Sequence, residues 1–177
     1  VGAVCVLLLM AALVGPYAGL ALTNHFEDGH GPTLSATSFV ERTHPGEAAA
    51  IAWLANRSGQ PTVAERPGRT VYVWRNAPSS LTGVPAVVGW RHEAIYRGAS
   101  AYRARAGAVD RLYGTRDDVT RNGLLRAYGV RYVWDGPLER AKYGNVTARL
   151  RADPALSVAE RSGTVTVFAV RANATSR

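Results

Sequence analysis

The stretch GWRHEAIYRG, residues 89–98, sets Trp90, Arg91, His92, Glu93, Tyr96 and Arg97 between two glycines, directly after the apolar run VPAVV. These residue types suit a sugar phosphate. An aromatic face stacks on the sugar ring, a carboxylate accepts from its hydroxyls, and a guanidinium takes a phosphate bidentately. Trp90, Glu93 and Tyr96 supply the first two functions, Arg91 and Arg97 the third. His92 is of a type that can act as general acid or base. A His–Glu pair serves equally well as a structural hydrogen bond, and both readings stand.

Tyr72 and Trp74, two apart in TVYVW, share one face of an extended piece, where they either line a cleft or pack in the core. Asp135, at the end of VRYVW and before Gly136-Pro137, places a carboxylate at a strand end, a position where Asp also makes turns. Glu139-Arg140 reads as a surface pair of little energetic worth. Ser79 to Gly83 reads as a loop of backbone donors, and no GxSxG elbow marks a nucleophilic serine. No metal site is indicated. His-Glu-x-x-His fails because position 96 is Tyr, and no third ligand is spaced to join His25 and His30.

The elements that must hold these residues follow from pattern. Thr43 or His44 caps a helix through Ala48–Asn56, with Pro45 in its first turn. Short strands are expected at Pro61–Glu65, Thr70–Trp74, Val84–Val88 and Val130–Trp134, and helices at Ser100–Tyr113, Asp117–Tyr128 and Leu138–Tyr143. LSVAERSGTVTVFAV closes the chain as a hairpin about Arg161-Ser162-Gly163. Alternation of helix and strand gives an α/β domain with a mostly parallel sheet and a C-terminal antiparallel hairpin.

Ahead of this domain, Val1 to Asn24 contains no Asp, Glu, Lys or Arg. Such a run is long enough to cross a bilayer. A signal peptide would open with Met and a basic segment, and a buried core helix would rarely stay apolar on every face. We therefore expect a transmembrane helix at 1–24, a connector at 25–39, an extracytoplasmic domain at 40–171 and a tail at 172–177. The missing Met is read as a cut within a longer polytopic protein, of which this is the last span. Glu27, Asp28 and three histidines crowd the flank after the helix, with Arg42 its lone basic residue, which favours the outer side of the membrane.

The net charge of +8 is carried almost wholly by scattered Arg with acidic residues interspersed. That pattern lacks the one-sided stripe of a nucleic-acid binder. Attraction to anionic headgroups or phosphates is the alternative to a merely solvated surface. Asn56, Asn145 and Asn173 lie in glycosylation sequons. Cys5, the one cysteine, falls in the apolar span, so the domain has no disulfide framework.

Three segments, HPGEAAAIAWL, VYVWRNAPSSLTGVPAVVGWRHEAIYRG and LLRAYGVRYVWDGPLERAKY, resemble the C-terminal end of the YYY membrane proteins of archaea and Chloroflexi. That is a family of polytopic proteins known as a domain of unknown function. The resemblance covers roughly residues 39–170, and TGVPAVVGW–HE–RG is its most specific part. The family's many-helix architecture is similar to that of polyprenyl-phosphate-dependent membrane glycosyltransferases. The resemblance thus implies transfer of a sugar from a lipid-phosphate donor on the outer membrane face. It also implies a catalytic carboxylate in an upstream external loop, so no catalytic residue is assigned to this chain. No cofactor is assigned either, and a divalent metal would belong to the upstream membrane part. Expected partners are the remaining transmembrane helices, the membrane, and a lipid-phosphate sugar with its acceptor, with no nucleic acid. The rival reading is a non-catalytic binding or assembly module of a membrane protein complex.

Overall fold

A computed structural model describes residues 2–27, 35, 37–70 and 73–172 of the chain. Tyr72, Asn173 and most of the expected connector lie outside them. Helix α1 covers Gly2–Glu27 and absorbs Pro16. From Gly2 to Thr23 it is long and apolar enough to cross a membrane, and no side chain there is buried. Residues 1–36 and residues 37–177 form two separate compact units.

The second unit is built on a four-stranded sheet: β1 (Thr62–Ala64), β2 (Val130–Asp135), β3 (Leu156–Ser162) and β4 (Val165–Val170), in the order β1-β2-β4-β3. β1 runs parallel to β2, and β4 antiparallel to both β2 and β3. Residues 84–88 extend the sheet beyond β1 through one parallel bridge, Val63 to Ala86. Val63 donates its N–H to the Pro85 carbonyl and accepts from Val87. The class is α/β with a terminal hairpin, as the sequence pattern implies, and the sheet is mixed.

Both faces of the sheet are covered, as the period of two in β4 requires. Val165 and Val167 point to one side, where α2 (Ser38–Thr43) and α3 (Pro45–Ala55) bring Val40, Ile51 and Leu54. Phe168 and Val170 point to the other, against α6 (Ala99–Gly114), α7 (Asp118–Ala127) and α9 (Val146–Ala152). Three short helices remain: α4 (Ala77–Thr82), α5 (Glu93–Arg97) and α8 (Pro137–Tyr143). α4 replaces the expected donor loop at Ser79–Gly83 and ends on Gly83 at φ 74°. α5 occupies the middle of GWRHEAIYRG, expected as loop.

The hairpin tip is fastened to α3. Thr164 donates its N–H and its hydroxyl to the Gly46 carbonyl, at 2.8 and 3.0 Å. Gly163, at φ 52°, lies so close that a Cβ would stand 2.3 Å from that same oxygen. α7 is anchored differently. Asp117 caps its start by accepting from Val119 and Thr120. Arg121, 1% exposed, then fills the space between α6, α7 and the turn before β3. Its Nε donates to the Leu112 carbonyl and its Nη2 to that of Thr115, while Nη1 lies 2.7 Å from Asp153 and 2.6 Å from Asp118. Four of the five N–H donors of the guanidinium are used, which offsets the desolvation of a buried charge.

Removing Arg121 leaves Asp153 buried and unpaired, so Arg121→Met is expected to lower stability by about 3–5 kcal/mol. Arg126→Met, on the exposed side of the same helix, should change it by no more than about 0.5 kcal/mol. Urea unfolding of the two variants beside the parent measures the difference.

Candidate functional site

Where β1, residues 84–88 and β2 end, three loops open at the carboxyl edge of the parallel part of the sheet, the edge at which α/β folds gather ligands. Backbone groups leaving the ladder there need new partners, and the buried polar side chains supply them. Glu139, 4% exposed, accepts from the backbone N–H of Arg66, after β1, and of Gly136, after β2. The Tyr113 hydroxyl lies between the carbonyls of Ala64 and Trp134, at 2.7 and 2.6 Å. Asn76, left-handed at φ 59°, donates to the carbonyls of Arg66 and Val88. Glu139 is therefore not a surface charge. Its capping position in α8 buries it, and its neighbour Arg140 bonds Asp135 instead.

The residues singled out in the sequence divide between two places. Trp74 lies with Glu47, Glu65, Asn76 and Glu139 along a narrow crevice. Its indole N–H donates to Glu47 at 2.8 Å, and His44 stacks on its ring at 3.5 Å, nearly parallel. Trp90 donates its indole N–H to the Arg75 carbonyl. It also packs over Gly68, where a Cβ would meet its ring at 2.5 Å and Asn76 Oδ1 at 2.4 Å. Glu93 accepts from the Gly89 N–H at 2.6 Å and pairs with Arg97 at 3.7 Å. His92 is half-buried at the start of α5. Asp135 is fully buried. It receives the Thr147 hydroxyl at 2.5 Å and Arg140, and so joins β2 to α8 and α9. Asn56 and Asn145 are exposed.

Arg91 belongs to the second place, an open cleft of about 380 Å³ lined by Arg69, Arg91, Ala94, Ala99, Tyr102 and Arg103. Tyr102 closes its floor with its hydroxyl on the Gly68 carbonyl. Arg69 pairs with Asp110 at 2.5 Å, and Asp110 also receives Lys142 and the Tyr143 hydroxyl. Burial would raise the Asp110 carboxyl, but these donors overcome it and hold the pKa below the usual range. Among the described residues the side chains of Arg91 and Arg103 make no hydrogen bond or ion pair. The cleft can thus hold an anion.

The crevice has the opposite electrostatics. Burial lifts the Glu65 carboxyl to about 7. Ser79 and Asn76 draw it partway back, and the charge of Glu139 adds to the rise. Ser79 and Asn76 act as nearby dipoles only, since no donor reaches either Glu65 oxygen with hydrogen-bond geometry. Burial also lifts Glu139 to about 7, against its backbone donors, and raises Asp135, against Thr147 and Arg140. With both its oxygens bonded, Glu139 is the member of the pair suited to ionise, leaving Glu65 as the one that holds a proton. No group of three metal-ligating side chains occurs among the described residues.

Glu65, Asn76, Glu139, Arg69 and Arg103 were not among the sequence candidates. PTVAERPG gave one usable signal: a Glu at the end of an apolar strand. Arg69 and Glu139 are placed by contacts across 41 and 73 positions, Asn76 by contacts across 10 and 12.

No protein family and no curated protein matches the sequence. Among solved structures, the C-terminal globular domain of an oligosaccharyltransferase from Archaeoglobus fulgidus is similar over 71% of this chain and 97% of its own, at 12% identity and a TM-score of 0.45.

Both crevice carboxyls bind protons more tightly in the folded state than in the unfolded chain, where glutamate titrates at about 4.3. The folded state therefore holds more protons between those limits, and stability falls as pH rises through about 4.5 to 7. Thermal unfolding should have a higher midpoint at the low end of that window than above it. Glu65→Gln, uncharged throughout, should remove about half of the difference. An unchanged pH slope in that variant would show that Glu65 ionises as freely folded as unfolded.

Proposed function

We propose that this chain is the last membrane span and extracytoplasmic C-terminal domain of a polytopic membrane protein that transfers a sugar from a lipid-phosphate carrier. Its reaction centre would lie in the preceding membrane part. The domain's task in this reading is to shape the cleft, not to make or break the glycosidic bond. The observation that supports it best is the cleft after residues 84–88, where Arg91 and Arg103 face open space with no bound carboxylate. A phosphate-bearing ligand needs such a site, since uncommitted guanidinium groups give it charge-assisted, bidentate bonds. The apolar helix α1 fits a membrane-borne carrier.

The side chains nearest to proton chemistry are spent on structure. Glu93 holds the Gly89 N–H, Glu139 two further N–H groups, and Asp135 a hydroxyl and a guanidinium. A general acid or base must also reach its substrate, and Glu139 and Asp135 are buried. Trp74 and Trp90 likewise spend their indole N–H groups inside the domain. That supports placing the chemistry elsewhere.

The test uses the complete membrane protein and its glycan transfer. Arg91→Gln should lower transfer by at least about tenfold, the loss expected for a charged hydrogen bond to a phosphate, with normal expression and membrane insertion. Glu93→Gln keeps an acceptor for Gly89 and should have a smaller effect. The domain of residues 24–177 alone should transfer nothing. Unchanged transfer by the Arg91→Gln variant would count against a role for this rim in turnover and favour an assembly module.

A further inference from the structure

α5 presents a second feature that sugar transfer does not use. Ile95 is 75% and Tyr96 84% exposed, adjacent in sequence on a five-residue helix with no buried residue. An isolated exposed apolar side chain needs no explanation. Here the pair stands among cations: Arg91 before it, Arg97 after it, and Arg69 and Arg103 across the cleft. Glu93 and Asp110 are the carboxylates paired to this group, and Asp110 already receives Lys142. Five cations against two carboxylates leave the patch positive.

An apolar and aromatic tip ringed by arginines is the combination that settles into a membrane interface. Tyr favours the headgroup level, and arginine stems lie along apolar surface while their heads reach phosphates. The chain's own apolar helix makes a bilayer the acidic surface within its reach. A soluble partner protein would match the charge and the Ile–Tyr tip as well, and the apolar helix α1 is what favours the bilayer.

We propose that α5 and the first turn of α6 form a membrane-contact surface, in which Ile95 and Tyr96 enter the interface and Arg69, Arg91 and Arg103 take phosphates of anionic headgroups. The contact is reversible and weakens with salt, because the exposed arginines are screened within about 3 Å at 1 M ionic strength. It shares Arg91 and Arg103 with the cleft of the proposed transfer reaction but needs neither donor nor acceptor, so vesicle contact and glycan transfer are read separately and either can fail alone.

The complete chain, α1 included, is reconstituted in phosphatidylcholine vesicles and in vesicles containing phosphatidylglycerol. Cys5→Ser removes the native thiol, and Ser100→Cys carries a polarity-sensitive fluorophore beside the patch. Val119→Cys, 77% exposed on α7, carries it in a control. Emission at position 100 should shift to the blue only with phosphatidylglycerol. The shift should vanish in 1 M salt and in Arg69→Gln/Arg91→Gln/Arg103→Gln, with no shift at position 119 in any vesicle. Equal emission in the two vesicles, or an equal shift at both positions, would overturn the surface. A response to inorganic pyrophosphate in phosphatidylcholine vesicles without one to phosphatidylglycerol would overturn the lipid assignment in favour of a soluble anion. The salt titration of the unsubstituted arginines keeps the test valid should the triple variant unfold.

Discussion

The parallel strands of this sheet end inside the protein, and the backbone groups released there must be satisfied away from water. That constraint organises the domain. Glu139 takes the N–H groups that follow β1 and β2, the Tyr113 hydroxyl lies at the carbonyls of Ala64 and Trp134 near their ends, and Asn76 ties the loop after β1 to the end of residues 84–88. α6 and α8 are thereby fixed to the strand ends by polar contacts as well as by apolar packing. A carboxylate in this role gives stronger hydrogen bonds than a neutral side chain but brings a charge into low dielectric. The raised pKa values of Glu65 and Glu139 are the electrostatic counterpart of that arrangement.

One consequence concerns which groups remain for a ligand. At the same sheet edge the acidic side chains are buried and mostly bonded, while the basic ones of the cleft are exposed and Arg91 and Arg103 are unbonded. The edge is therefore acidic within and basic without. A ligand arriving from solvent meets guanidinium groups first, and the field favours a phosphate over a cation. Arg121 shows that composition alone could not separate these roles. The same residue type that lines the cleft is here 1% exposed and bonded to Asp153, Asp118 and two carbonyls.

Much of the fold is legible in the sequence because its signals are local. The alternation in VTVFAV, the Asp117 cap, Gly129 after α7 and the charge-free run before residue 25 each specify an element from neighbouring residues alone. The short helices α4, α5 and α9 are not legible, since five to seven residues give too little periodicity to stand apart from a polar loop. The site is less legible than the fold. GWRHEAIYRG marks the right strand end and Arg91. Arg69 and Arg103 join Arg91 only through the packing of α6, and Glu139 looks like a surface residue until α8 is placed against β1. Asp135 reads as a turn or a ligand; its bonds to Thr147 and Arg140 make it a joint between elements.

The distribution of spent and unspent groups bears on where chemistry is located. A side chain that transfers a proton changes its charge in each cycle, and each change alters every bond it makes. A proton on Glu139 would occupy one of the two oxygens that accept the N–H groups after β1 and β2, and would weaken that bond while the other remained. Glu93 is constrained in the same way through Gly89. Arginine carries no such conflict, because it keeps its charge at any working pH and can gain or lose a phosphate without disturbing the fold. A domain that fastens its own strands with carboxylates and leaves arginines open is better matched to holding an anion than to transforming one.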